Sequence, residues 1–312
     1  MYTTSIHDAQ LERKILDSLA LSWDQRVAVR KERLDLGQYY DPTIPDFPAA
    51  MLPFHDSPAY AALARPAQLR LLATAWVAYN EKAIFMEDEM VQPLCSLLLK
   101  GRLPGVSDAR VKQVIAQLAV DEQFHILMCL EICSNARARH DLHGYRMPEP
   151  LIGVALRAAL EQARDADDAA LVRMVYATVA ETTIHAYLQQ IAADTSIQPL
   201  NRLNTDLHRR DELAHGTTFA QLARSVYQSL DAAAQARFRA LLCQALDDFV
   251  QVDVAFWVSI LDYAGIAGRE QIGAQMRAAA QGVRMRRDYT ALAPLLRDLG
   301  IPEQGIFSQQ AG

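Results

Sequence analysis

Two copies of one phrase, Asp-Glu-x-x-His, stand at Asp121–His125 (DEQFH) and Asp211–His215 (DELAH). In each, a carboxylate and an imidazole are three residues apart, so on a helix both project from one face toward a common point. Glu122 with His125, and Glu212 with His215, are thereby set up to grip a metal ion from a single turn. In helix-bundle carboxylate proteins, two such pairs plus one Glu from each of two other helices hold a pair of iron or manganese ions. The chain must then offer two further acidic side chains on other helices.

Burial selects the candidates. An ionised carboxylate buried without a partner is costly, so a Glu inside an apolar helix needs a cation. Glu181 lies in VYATVAETTIHAYL, among largely apolar turns. Glu87 lies in AIFMEDEMVQPL, where Glu81, Asp88 and Glu89 compete with it and position alone does not choose. His208 precedes Glu212 by four residues and His215 by seven, so LHRRDELAH lines three donors along one stripe. The set Glu87, Glu122, His125, Glu181, His208, Glu212 and His215 sets four carboxylates against two divalent ions. Mixed carboxylate and imidazole ligation suits iron or manganese better than zinc or calcium.

The plainer reading of a lone Glu-x-x-His is a solvated helix face. Two central copies, with buried-looking glutamates on other helices, reverse it. Asp121 and Asp211 directly precede ligands and are placed to hydrogen-bond ligand imidazoles across the bundle, which fixes a tautomer. His185, four residues after Glu181, reads as outer support or core rather than ligand. His7, His55, His140 and His143 fall in loops or at ends and carry no such role.

Helices must position these groups. Of the 312 residues, 51% are hydrophobic and only 13 are Gly and 13 Pro, and apolar side chains recur every three to four residues. Helices are expected at 8–22, 66–100 with a kink at Pro93, 107–138 with Ser107 as N-cap, 152–164, 167–193, 198–226, 230–265, 268–287 and 290–298. Residues 35–58, rich in Pro and Asp, read as an irregular surface wrap. The expectation is an all-α chain with a ferritin-like four-helix bundle core and additional flanking helices. It forms one domain over 1–312: an N-terminal helix and wrap to 65, a metal-binding bundle over 66–226, and C-terminal helices from 227.

A net charge of 31 − 37 = −6 leaves no electrostatic footprint for nucleic acid or anionic lipid. No run of 18 apolar residues occurs and the first residues lack an apolar signal region, so a cytoplasmic location is expected. Cys95, Cys129, Cys133 and Cys243 fit reduced surroundings. Cys129 and Cys133, four apart in an apolar helix pattern, read as core packing.

Taken together, YNEKAIFMEDEMVQP, DEQFH, VAETTIH and LHRRDELAH resemble the diiron arylamine N-oxygenase family, the p-aminobenzoate N-oxygenase-like enzymes, over about residues 60 to 290. The family pattern has a Glu 35 residues before the first Glu-x-x-His glutamate, which selects Glu87, and its third Glu falls on Glu181. Its distinctive third histidine falls on His208, where ordinary diiron oxygenases and ferritins use two or fewer. The resemblance also implies a pocket tyrosine at Tyr79 and a carboxylate-gripping arginine in RMRRDY, where spacing favours Arg287 over Arg284 and Arg286.

The implied cofactor is two non-haem iron ions bridged through oxygen ligands, with O2 as co-substrate and manganese as a substitute. The implied partners are a small-molecule amine, an external electron donor or reductase, and a second copy in a homodimer. The implied reaction takes a primary amine to a hydroxylamine and on toward nitroso or nitro products in specialised metabolism. Some family members act on amino acids, so the substrate stays open between aminoarene, amino acid and carrier-bound amine. A ferritin- or rubrerythrin-like protein that oxidises iron or consumes peroxide shares the bundle but needs neither His208 nor an organic pocket. A metal-free helical interaction protein would leave Glu87 and Glu181 buried without a counter-charge.

Overall fold

The apolar recurrence is realised as helix almost throughout the residues described in this computed structural model, 6–30, 40–280 and 292–301, and no strand occurs among them. In chain order the helices are α1 (Ile6–Arg26), a single turn α2 (Pro58–Ala61), α3 (Arg65–Met86), α4 (Gln92–Leu99), α5 (Ala109–His140), α6 (Leu151–Glu161), α7 (Ala166–Ala193), α8 (Pro199–Ser229), α9 (Ala232–Phe249), α10 (Val254–Ala264), α11 (Arg269–Ala280) and α12 (Ala293–Asp298). α3 packs on α5 and α7 on α8, and the two pairs meet through α5 with α8 and α4 with α7. This is the all-α, ferritin-like bundle expected, with α1, α6 and α9–α12 laid around it. No described helix is long and apolar enough to cross a membrane.

The apolar core has two lobes. One is built from Leu94, Leu98, Ile115, Leu118, Val172, Val175, Phe219 and Leu222, the other from Leu71, Trp76, Ile132, Ala136, Ile191, Leu200 and Ile260. Each bundle strut contributes to both lobes, and the stretch between its two contributions is the stretch that carries Glu87, Glu122, Glu181 or Glu212. A buried polar layer therefore crosses the waist of the bundle. The burial of apolar surface on either side offsets its desolvation, at roughly 25 cal/mol per Å² removed from water.

The kink expected at Pro93 takes a definite form. Proline has no N–H to donate and its ring crowds the carbonyl four residues back, here Glu89. The chain inserts a π-helical turn, Glu87–Val91, in which the Gln92 N–H bonds the Glu87 carbonyl. The freed Glu89 carbonyl accepts from the Arg173 guanidinium of α7 at 3.0 Å.

Two expectations are corrected. Asp108, not Ser107, caps α5, its side chain accepting from the Arg110 N–H. The single helix expected over 230–265 is two. Asp253 breaks it by capping α10 through the Phe256 N–H at 3.1 Å, and it also accepts from the Leu151 N–H that opens α6 at 2.8 Å. Both corrections come from aspartates whose short carboxylates bond backbone N–H groups better than the helix interior can. The helix expected at 268–287 is described to Ala280, so Arg284, Arg286 and Arg287 lie outside the described residues.

The wrap, described from residue 40, is irregular as read. Its hold on α8 is specific: the Gln198 backbone N–H donates to the Pro45 carbonyl at 2.8 Å and the Asn201 side chain to the Asp46 carbonyl at 2.8 Å.

Candidate metal centre

α5 and α8 run antiparallel, so their Asp-Glu-x-x-His phrases face each other in reverse. Glu122, His125, Glu212 and His215 meet at the waist, all buried. His125 Nδ1 lies 3.0 Å from Glu122 Oε2 and 3.1 Å from Glu212 Oε1, and His215 Nδ1 lies 2.9 Å from Glu122 Oε1. The π turn brings in Glu87, buried, while its neighbours Asp88 and Glu89 are exposed and Glu81 pairs with Arg137 away from the waist. α7 brings in Glu181, whose Oε2 is 3.8 Å from His215 Nδ1. His208 sets its Nε2 3.1 Å from Glu212 Oε1 and 3.6 Å from Glu87 Oε1, its ring 4.0 Å from that of His125.

The seven side chains fall into overlapping donor groups. Glu87, His125, His208 and Glu212 each offer an atom within 4.8 Å of the others, as do Glu122, His125, Glu212 and His215, and as do Glu87, Glu122 and Glu181. Two cations side by side match groups that share members in this way. Orphaned atoms make the same point. Glu87 Oε2, Glu122 Oε1, Glu181 Oε2, Glu212 Oε2 and His215 Nδ1 are buried with no hydrogen-bond partner. His215 Nδ1 and Glu122 Oε1 are close in space yet out of line for a hydrogen bond, as two donors to one ion would be. Leaving so many polar atoms unsatisfied is costly unless something else binds them, so the residues fit a metal pair.

Protonation behaviour reflects the crowding of buried charges. Burial first, then the Glu122 charge, pushes the Glu87 carboxyl up to about 8, and burial with Glu212 and Glu122 lifts Glu181 well above the usual range. Burial also opposes ionisation of Glu122 and Glu212, but His215 and the other imidazoles win, holding Glu122 down to about 2 and Glu212 well below normal. Burial disfavours the imidazolium form of all three histidines, and the surrounding carboxylates overcome it, raising each well above its ordinary value.

The two aspartates stand on the outer side. His125 Nε2 is 3.3 Å from Asp211 Oδ2 and His215 Nε2 is 3.2 Å from Asp121 Oδ2. A carboxylate only accepts, so each ring presents an N–H at Nε2 and turns Nδ1 inward, where loss of its proton would free a lone pair for an ion. Beyond them lies what the sequence did not reveal: the Trp23 indole N–H donates to both Asp121 oxygens at 2.9 Å, and the Ala28 backbone N–H to Asp211 Oδ2 at 3.0 Å. No local pattern marks Trp23, a single aromatic near the end of α1, 98 residues from Asp121.

Tyr79 stands in an aromatic group with Trp76 at 5.8 Å and Tyr187 at 5.4 Å between centroids. The residue as a whole is half-buried, but its hydroxyl is buried without a hydrogen-bond partner, and burial raises it well above the ordinary tyrosine value. His185 sits 3.3 Å from Arg209, not among the donors. A cleft of about 380 Å³ on the α3–α5 face is lined by Glu81, Leu130, Cys133 and Arg137, and none of the seven donor residues lines it.

A helical bundle with four glutamates and three histidines gathered in a buried layer at its waist places the molecule among the ferritin-like proteins whose carboxylate–imidazole cluster can hold metal ions. Within that class the chain belongs to the p-aminobenzoate N-oxygenase AurF family, which it matches over residues 9–300. It is similar to a 4-aminobenzoate N-oxygenase of Streptomyces thioluteus, 31% identical over 296 residues that span 94% of this chain and 88% of that protein. Membership makes the chain an oxidoreductase of the N-oxygenating kind, and favours that reading over the iron-oxidising or peroxide-consuming one.

Proposed function

We propose that the chain uses two iron ions and O2 to oxidise the primary amine of an aminobenzoate-like aromatic to the hydroxylamine, and through further rounds to nitroso and nitro products. The observation that carries this is the set of orphaned glutamate oxygens converging with three imidazoles at the bundle waist, read with the kinship to a 4-aminobenzoate N-oxygenase. Glu87, Glu122, Glu181, Glu212, His125, His208 and His215 would hold the ions. When bound, two ferrous ions supply two electrons that activate O2 for transfer of one oxygen atom to the amine nitrogen.

The protein's own contribution is placement. Asp121 and Asp211 hold the ring protons on Nε2, so His215 and His125 keep their Nδ1 lone pairs toward the waist. The two apolar lobes exclude water from the reacting layer. Tyr79, with its unsatisfied hydroxyl, is assigned to the substrate pocket, and Arg287 to the substrate carboxylate, for which a guanidinium fork is suited. An external donor restores the electrons after each round. The chain works as one helical oxygenase domain.

The test is product mass. Anaerobically reduced, iron-loaded protein is mixed with 4-aminobenzoate under 18O2, with aliphatic amino acids in parallel. Labelled oxygen on the aromatic nitrogen is the expected result. Label only on an aliphatic amine would move the substrate class, and O2 consumption without labelled product would overturn the reading.

A further inference from the structure

The N-terminal helix and the turn that follows it reach the buried polar layer through two N–H groups, one from each. Asp121 is buried and its two oxygens serve three contacts: Trp23 Nε1–H bridges both, and Oδ2 also faces His215 Nε2. In the opposite phrase, Asp211 Oδ2 takes His125 Nε2 and the Ala28 backbone N–H, while its Oδ1 has no partner. One imidazole is thus steadied through a side-chain donor, the other through the main chain. Only the first can be removed by changing a side chain while leaving the backbone as it is.

We infer that Trp23 is a positioning residue for the ion that His215 helps to hold, acting through Asp121. This rests on the proposed two-ion site and deepens it. The physical basis is directional. A carboxylate with one partner swings about its Cβ–Cγ bond, and the imidazole hydrogen-bonded to it swings with it. The bifurcated indole bond fixes the carboxylate plane and so the aim of His215 Nδ1. Partners of ligand histidines at this remove typically change metal affinity about 10- to 100-fold. The effect should fall on one ion of the two, because His125 has a separate support.

The experiment is anaerobic Fe(II) titration of the full chain, followed by calorimetry and by Mössbauer spectra of the loaded protein. Two variants are compared with the unaltered chain: Trp23→Phe, and a chain carrying benzothienylalanine at position 23, which keeps the size and shape of indole but has no N–H. The expected result is one ion bound as before and one bound at least about tenfold more weakly in both variants, with only one iron's quadrupole doublet changed. The benzothienyl chain guards against misfolding, since its packing is preserved.

Unchanged binding of both ions in the benzothienyl chain would overturn the inference. Equal weakening of both ions would also overturn it, because that is general loosening. Failure of the unaltered chain to bind two ions would instead remove the two-ion reading beneath it.

Discussion

His125 on α5 aims its Nε2 at Asp211 on α8, 3.3 Å away, and the relation is repeated in reverse by His215 and Asp121 at 3.2 Å. Each Asp-Glu-x-x-His phrase therefore supplies the glutamate and histidine of its own half and the outer carboxylate of the opposite half. The antiparallel crossing of two identical phrases makes this reciprocity automatic. Once Glu122 and Glu212 point inward, the preceding aspartates are positioned against the partner helix.

Asp211→Asn keeps the shape but loses the charge that holds the proton on His125 Nε2. Affinity for the ion at His125 should fall by about tenfold or more, with little change in thermal unfolding of the metal-free protein. Anaerobic Fe(II) titration with parallel melting curves measures both. Unaltered iron affinity would mean that the contact does not orient the ring.

Metal loading should release protons. Without metal, His125, His208 and His215 hold theirs well above the usual pH, Glu181 stays protonated, and Glu87 titrates at about 8. Two divalent ions displace them, so loading near pH 7 should release protons. The sign follows: protons compete with metal, affinity rises with pH, and the rise continues through about 8, where Glu87 ionises unaided. Calorimetry in buffers of different ionisation enthalpy counts the protons. A pH-independent affinity between 6 and about 8 would contradict the protonation pattern.

Gly216 follows His215 directly, and a Cβ there would stand 3.0 Å from the Glu181 carbonyl oxygen on α7. Gly216→Ala gains about 1 kcal/mol of helix propensity, but it pushes two backbones apart where neither has a flexible end to move, an overpacking cost of about 1–3 kcal/mol. A net loss of about 1 kcal/mol is expected, together with weaker binding of the ion that Glu181 serves. Urea unfolding and metal titration read the two effects separately. A more stable variant with full metal affinity would show that α7 yields freely.

Tyr79→Phe removes a buried hydroxyl that has no partner. Relief of that unsatisfied group should leave stability unchanged or raise it by about 1 kcal/mol. The KM for 4-aminobenzoate should rise if substrate is what the hydroxyl serves. Lower stability with an unchanged KM would assign Tyr79 to the core.

Where the chemistry is local, the sequence sufficed. Glu122 with His125, and Glu212 with His215, were legible because three residues of helix place two side chains together whatever surrounds them, and Glu181 because a charge in an apolar run demands a partner. The all-helical class followed from apolar spacing in the same way.

Three matters lie beyond local spacing and are decided by tertiary structure, the first of them reached from the sequence only through the family resemblance. Glu87 differs from Glu81, Asp88 and Glu89 because a π turn upstream of Pro93 rotates it inward, and that turn is tolerated because Arg173 on another helix takes the freed carbonyl. The split of α9 from α10 depends on Asp253 also serving α6. Trp23 joins the buried polar layer only because α1 lies across α5 and α8. Local spacing fixes which side chains share a helix face. Which faces meet is decided by packing between segments far apart in the chain, and that information is spread over every contact at once.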